Sequence, residues 1–365
     1  MCLFFSVLQM TARHEAGHFD NISQWFPCLG KEFTFDTLFL ELSKKEGEAI
    51  IKVRENGRMI GTLYSICSEE ERDQKKVLDM DPFRMLEEAN PELNEALKEL
   101  STKMEEALKS FPNGAFMRLD TRSPKDAALK SSYVRELIKE QIESKPHNDP
   151  FSIECATDDG IIYWSCISKS CKVDSAQQAL ELLTGSNRVQ EDLKLGFLAH
   201  DHAVQLVFRE WEDIHPEYEF RVFVVHNEIT AMTQYHSGLY VPEMAKNKEK
   251  VQDLILAEFN RVKDKVKAPE STYTIDFVIT ENLDAARIVE INDPPPTAGT
   301  SLFDWDDEED QGLLLHGPLS FRMITEPLTW EQQQQKSSMH LPLVEYMDEL
   351  RGRTPREEKP SCIIC

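Results

Sequence analysis

Residues 206–224 read LVFREWEDIHPEYEFRVFV. Two short β-rich runs flank a polar stretch containing Pro216, and each run holds one arginine, Arg209 or Arg221, among apolar residues. A guanidinium in such surroundings needs an anion or a set of acceptors, and its planar fork suits phosphate or carboxylate. On sequence grounds a salt bridge to Glu217 or Glu219 would satisfy them as well.

Downstream of this stretch the pattern stays β-like. The run 219–225 continues through a His226-Asn-Glu turn into 229–235, and 272–279 and 286–291 form a further pair separated by Glu281-Asn-Leu-Asp284. Asp276 lies inside the apolar run YTIDFVI, where an unpaired carboxylate is costly. Glu290 and Asn292 lie two apart on the next strand and so share one face. If the two strands pair, three oxygen ligands converge, the hard donor set that magnesium takes beside nucleotide phosphates. The alternative is an edge hairpin with ordinary solvent-facing carboxylates. Upstream, GAFMRLDTRSPKDA (114–127) brings Arg118, Arg122 and Lys125 close in sequence, either as a cover for a triphosphate or as a plain basic loop before a helix.

Helical periodicity is clear over 91–111, where Leu93, Leu97, Leu100, Met104, Leu108 and Phe111 recur every three to four residues behind the N-cap Asn90 and Pro91. A second helix starts at Ser175, with Gln178 completing a capping box, and runs to about Gly185. A third covers 245–266. The runs 49–53 and 59–65, separated by Glu55-Asn-Gly57, read as a β-hairpin. Antiparallel hairpins with packed helices make an α+β fold. Residues 1–20 read as a tail, 21–330 as the folded domain, and 331–365, rich in glutamine, charge and proline, as a flexible tail.

In this order the motifs resemble the cell division cycle protein 123 family, a branch of the ATP-grasp superfamily. The matching pieces are FMRLDTRSPKDA (116–127), LVFREWEDIHPEYEFRVFV (206–224), AMTQY (231–235), YTIDFV (273–278), IVEIND (288–293) and SLFDW (301–305). The resemblance implies an ATP-grasp fold, two α+β lobes holding ATP between them. By motif position Arg118 stands where the family has a phosphate-binding lysine. Phe208, Arg209, Glu210 and Trp211 form the hinge against the adenine, Arg221 reaches the phosphates, and Asp276, Glu290 and Asn292 hold magnesium. This chain departs from the best-known members at Arg118 (Lys there), Glu290 (Asp) and Tyr235 (Arg). The family's characterised members are assembly chaperones that use ATP and bind the gamma subunit of eukaryotic translation initiation factor 2. The same resemblance therefore implies a monomeric ATP- and magnesium-binding assembly factor. The alternative it leaves open is an ATP-grasp ligase that activates a carboxylate.

The remaining composition limits the options. A formal net charge of −24 opposes direct nucleic-acid binding, since polyanions repel. No stretch reaches the roughly 18 apolar residues of a membrane span, and the scattered cysteines give no disulfide framework, so a cytoplasmic protein is expected. His14-Glu-Ala-Gly-His18 matches the zinc-protease pattern but lacks its helix and is expected to be a chance match. Cys362-Ile-Ile-Cys365 has the form of a prenylation signal, although Cys is not a usual last residue.

Overall fold

The computed structural model describes residues 18–74, 76–199 and 204–353. Nine strands form two sheets: β1 (Thr37–Leu42), β2 (Ala115–Leu119), β3 (Lys172–Val173), β4 (Val204–Glu210), β5 (Glu219–Val225), β6 (Glu228–Gln234), β7 (Tyr273–Ile279), β8 (Ala286–Asn292) and β9 (Ser320–Arg322). The helices that matter below are α1 (Ile22–Leu29), α2 (Lys44–Ile66), α3 (Pro91–Leu108), α4 (Ser132–Ser144), α5 (Ile153–Lys169), α6 (Ala176–Gly185), α7 (Lys248–Val262), α8 (Trp330–Lys336) and α9 (Leu341–Leu350).

The first lobe is an antiparallel sheet in the order β1-β4-β2-β3. One of its faces packs Leu42, Met117, Leu206 and Phe208 against Ile50 of α2, Leu100 and Met104 of α3 and Leu183 of α6. The second lobe is a sheet in the order β8-β7-β5-β6-β9, antiparallel except for the β6/β9 pair. Both of its faces are covered. Val222, Ile275 and Phe277 meet Val251, Ile255 and Phe259 of α7, while Phe223 and Ala231 meet Phe303 and Leu314 on the other side. The strands of this sheet therefore read as near-continuous apolar runs. A third, purely helical unit packs α4, α5, α8 and α9 around Ile138, Tyr163, Trp330, Leu343 and Met347. The α+β architecture in two lobes agrees with the expectation from sequence.

Two expectations need correction. The proposed hairpin at 49–65 is one helix, α2, 23 residues long. Its buried positions Glu46, Ala49, Ile50, Val53 and Asn56 follow a 3.6-residue period, and Ser43 and Glu46 close a capping box at its start. Asn56-Gly57 lies mid-helix, where Asn56 Nδ2 donates to the Pro82 carbonyl at 3.1 Å. The other correction concerns 331–365, read as a flexible tail. Residues 330–353 fold as α8, α9 and a buried Arg353, because Trp330, Leu343, Val344 and Met347 supply four of the twelve buried residues of the third core. The proposed tail at 1–20 lies, but for 18–20, outside the described residues, as does Cys362.

Gly57 distinguishes helix from hairpin. A Cβ there meets only Pro82 Cβ, at 4.0 Å. Gly57→Ala is therefore expected to stabilise the protein by about 0.5–1 kcal/mol in urea denaturation, since glycine is a poor helix former. A left-handed turn glycine would give the opposite sign.

Candidate functional site

Between the two sheets lies a cleft of about 350 Å³. Lobe one supplies Phe116 and Arg118 from β2 and Ser123 and Lys125 from the loop beyond it. The connection leaving β4 supplies Trp211, Glu212 and Ile214, and lobe two supplies Glu219, Tyr235, Val289 and Glu290. The lining thus mixes apolar side chains with the cations Arg118, Lys125 and Arg209 and the carboxylates of Glu210, Glu212, Glu219 and Glu290.

Arg118 is buried and ion-pairs across the cleft with Glu290 Oε2. Its other nitrogens donate to the carbonyls of Leu119 and Thr121, at 3.1 and 2.8 Å, which fix the guanidinium in place. Burial works to raise the Glu290 carboxyl, but Arg118, Lys125 and Arg221 outweigh it and hold the group below the usual carboxylate range. Asp276 faces Glu290 across the β7/β8 ladder and is fully buried. Arg221 clasps it bidentately, with Nε to Oδ1 and Nη2 to Oδ2 both at 2.8 Å, and Asn292 Nδ2 donates to Oδ2 at 2.8 Å. Burial pushes Asp276 above the usual carboxylate range, and the Arg221 clasp opposes it.

The structure thus brings Arg118, Arg221, Asp276, Glu290 and Asn292 together. Arg221, Asp276 and Asn292 lie behind Tyr235 and Glu290, outside the cavity wall itself. Tyr235 lies between two cations: the Arg221 guanidinium carbon is 4.8 Å from its ring centroid and Lys125 Nζ is 5.8 Å away. Lys125 forms no ion pair within 4.0 Å among the described residues. Tyr235 first, and then Glu219 and Glu290, hold its ammonium above the ordinary value against burial. Arg122, its neighbour in the basic loop, pairs instead with Asp192 and Glu191 outside the cleft.

The hinge residues divide. Phe208 faces the core of lobe one, and its backbone is paired on both sides, with Leu38 and with Met117, so it is not a ligand contact. The amide of Glu210 donates to the Asp36 carbonyl at 2.8 Å and that of Trp211 to the Gly114 carbonyl at 3.2 Å. Their side chains line the cleft, but amide donors for a base must come from beyond Trp211. Arg209 ties the lobes together, donating to the Val289 carbonyl and to Thr34 Oγ1, both at 2.6 Å, over the ring of Phe35. Burial, and then the like charges of Arg118 and Arg287, lower its pKa to about 9, so it remains a cation at neutral pH.

Nothing in the sequence singled out His236. It lines the cleft, stacks on Trp164 with centroids 4.3 Å apart, and has Nε2 3.6 Å from Glu219 Oε2. Burial lowers its pKa despite Glu219, so the ring is neutral at pH 7. No periodicity marks either residue, since Trp164 and His236 meet only through tertiary packing. Of the zinc-protease pattern, His14 lies outside the described residues, and His18 pairs with Asp20 close to Asp293. Among the described residues no helix is long and apolar enough to cross a membrane.

As a magnesium site the donor set fits. Asp276 and Glu290 are in register on adjacent strands, and Asn292, whose amide nitrogen is engaged, keeps its oxygen for a ligand. Arg118 and Arg221 occupy the carboxylates in this state and are themselves the partners a phosphate would take.

Comparison with known proteins follows this geometry. The family described as D123 matches residues 162–349, just over half of the chain. A relative from Yarrowia lipolytica named cell division cycle protein 123 is 31% identical over 39% of this chain and 38% of its own length. A Xenopus laevis relative named translation initiation factor eIF2 assembly protein is 22% identical over 78% of this chain and 75% of its own. The first curated relatives are matched over less than half of their length. The solved structure of Cdc123 from Schizosaccharomyces pombe superposes with a TM-score of 0.53 at 19% identity, covering 84% of this chain and 95% of that one, which places the fold.

The interlobe pair makes a signed prediction. Because Glu290 titrates below its unfolded value of about 4.3, its contribution is present above that pH and is lost as the pH falls beneath it. Glu290→Gln is expected to cost about 3 kcal/mol at pH 7, leaving Arg118 buried without its anion. It should also flatten the dependence of stability on pH between 5 and 3, read by urea denaturation across that range.

Proposed function

The chain belongs to the D123 family, and from that premise we propose that it is an ATP- and magnesium-binding assembly factor for the eukaryotic translation initiation factor 2 complex, acting through the gamma subunit. The observation that carries the nucleotide reading is the cleft itself. Apolar side chains of Phe35, Phe116, Ile214 and Val289 line it together with the cations Arg118, Lys125 and Arg209, and Glu290 on its wall faces Asp276 on the neighbouring strand. That polarity suits a ligand with a flat apolar head and an anionic tail.

In this reading the base enters among Phe116, Ile214 and Val289, and the polyphosphate lies against Arg118 and Lys125. Arg118 exchanges Glu290 for a phosphate oxygen, one charge-assisted contact for another. Asp276, Glu290 and Asn292 hold magnesium, which supplies charge neutralisation between phosphate oxygens. Tyr235, replacing a cation, offers its ring to both Lys125 and Arg221. Two relatives carry names that state a role in assembling eIF2, and this supports the partner class. The net charge of −24 favours a basic partner surface.

Two measurements test this. Calorimetry with ATP and magnesium should show saturable binding to the wild type, lost in the double variant Asp276→Ala with Glu290→Ala and weakened at least about tenfold in Arg118→Ala. Absence of binding by the folded wild type contradicts the nucleotide reading. Separately, the purified chain should retain the gamma subunit in size-exclusion chromatography and speed formation of the heterotrimer in the presence of ATP. If the gamma subunit elutes alone at micromolar concentrations, the partner reading fails while the cleft stands.

A further inference from the structure

The helical unit formed by α4, α5, α8 and α9 does more than extend the fold. Trp164, Ile167 and Ser168 of α5 and Ser337 and Ser338 just past α8 line the same cleft as the two lobes. None of these five carries a charge, whereas the cations Arg118, Lys125 and Arg209 all come from lobe one. The unit therefore presents an aromatic and hydroxyl surface to the cleft, while the cleft's Arg and Lys side chains come from lobe one.

That surface is held in register by close packing and one buried charge. A Cβ at Gly160 would overlap Gln333 Oε1, and one at Gly238 would overlap Ser337 Oγ, so both glycines are needed for the C-terminal segment to lie this near. Gln333, fully buried, donates to the Ala156 carbonyl at 2.7 Å, and Ser237 Oγ donates to the Lys336 carbonyl at 2.7 Å. Asp159 of α5 has no solvent exposure. Arg351 donates to its Oδ1 through Nε at 3.0 Å and Nη2 at 2.7 Å, and Arg353 donates to its Oδ2 at 2.5 Å. Arg353 also pairs with Asp348, and Trp330 Nε1 donates to the same Asp348 carboxylate at 2.8 Å. One carboxylate on α5 thus fixes both guanidinium groups at the end of the described chain, 192 residues away in sequence for Arg351.

We propose that this helical unit is the third wall of the nucleotide cleft. Trp164 touches the nucleoside part of the ligand, and Asp159 is a positioning residue that acts through α5 and the 337–338 turn. The inference rests on the nucleotide reading of the cleft and deepens it by assigning the base and sugar, as distinct from the phosphates, to this wall. His236 belongs to the same surface, since its ring packs against Trp164.

The division of labour gives the test. ATP and inorganic tripolyphosphate, each with magnesium, are titrated calorimetrically into the wild type, Trp164→Ala and Asp159→Asn, with folding checked by circular dichroism. Both variants are expected to weaken ATP about tenfold and to leave tripolyphosphate affinity unchanged, a split that a purely structural role would not produce. Equal weakening of both ligands, or no change in ATP affinity, overturns the proposal and leaves the nucleotide cleft intact. A wild type that binds neither ligand overturns the cleft reading and this proposal together. Hydrogen exchange on the wild type needs no variant: ATP should slow exchange across 333–340 as well as 116–125. Protection confined to 116–125 overturns the proposal alone.

Discussion

Arg118 and Glu290 meet across the cleft, one from the sheet of each lobe. Much of the site depends on this contact. A guanidinium buried in a β-strand is tolerated only with an anion beside it, and a largely buried carboxylate is stabilised by the cation it faces. The pair holds the lobes at a fixed separation and keeps both charges inside the site. Arg209 reinforces the spacing with a hydrogen bond from β4 to the backbone of β8. Behind them Arg221 and Asp276 repeat the arrangement within lobe two. Among the cleft's cations Arg118 has a carboxylate and Arg209 a carbonyl and a hydroxyl, while Lys125, whose ammonium lies over Tyr235, has no ion pair within 4.0 Å among the described residues. In the proposed nucleotide reading an anion would bind by exchange of partners, with the ion pairs keeping the buried charges satisfied when no ligand is present.

The sequence made the second lobe legible because its strands are buried on both faces and read as apolar runs. The residues that break those runs, Arg221, Asp276 and Glu290, are the ones that meet in ion pairs at the cleft. Helix α3 was equally plain from its cap and its apolar stripe. Helix α2 was misread because Asn56-Gly57 is a strong local turn signal, and here the tertiary contacts of Ala49, Ile50 and Val53 override it. Phe208 was assigned to the hinge from its place in a motif, but alternation along β4 turns its side chain into the core. The C-terminal helices were taken for a tail because glutamine and charge dominate 331–336, while the residues that fold them, Trp330, Leu343 and Met347, find their partners on α4 and α5.

Contacts between distant segments account for the rest. Trp164, His236 and Ser337 converge on one cleft from three parts of the chain, and no pattern in any one segment announces it. Tyr235 marks the same limit. In the sequence it is the loss of a cation, and in the structure it is an aromatic ring within reach of both Arg221 and Lys125.

The exchange of partners at Arg118 is tested most directly by a crystal structure of the protein grown with ATP and manganese, whose anomalous scattering locates the metal. The account predicts manganese between Asp276, Glu290 and Asn292, with the Arg118 guanidinium moved from Glu290 to a phosphate oxygen. Nucleotide bound elsewhere, or bound in the cleft with the Arg118–Glu290 and Arg221–Asp276 pairs both intact and no metal beside them, would contradict it.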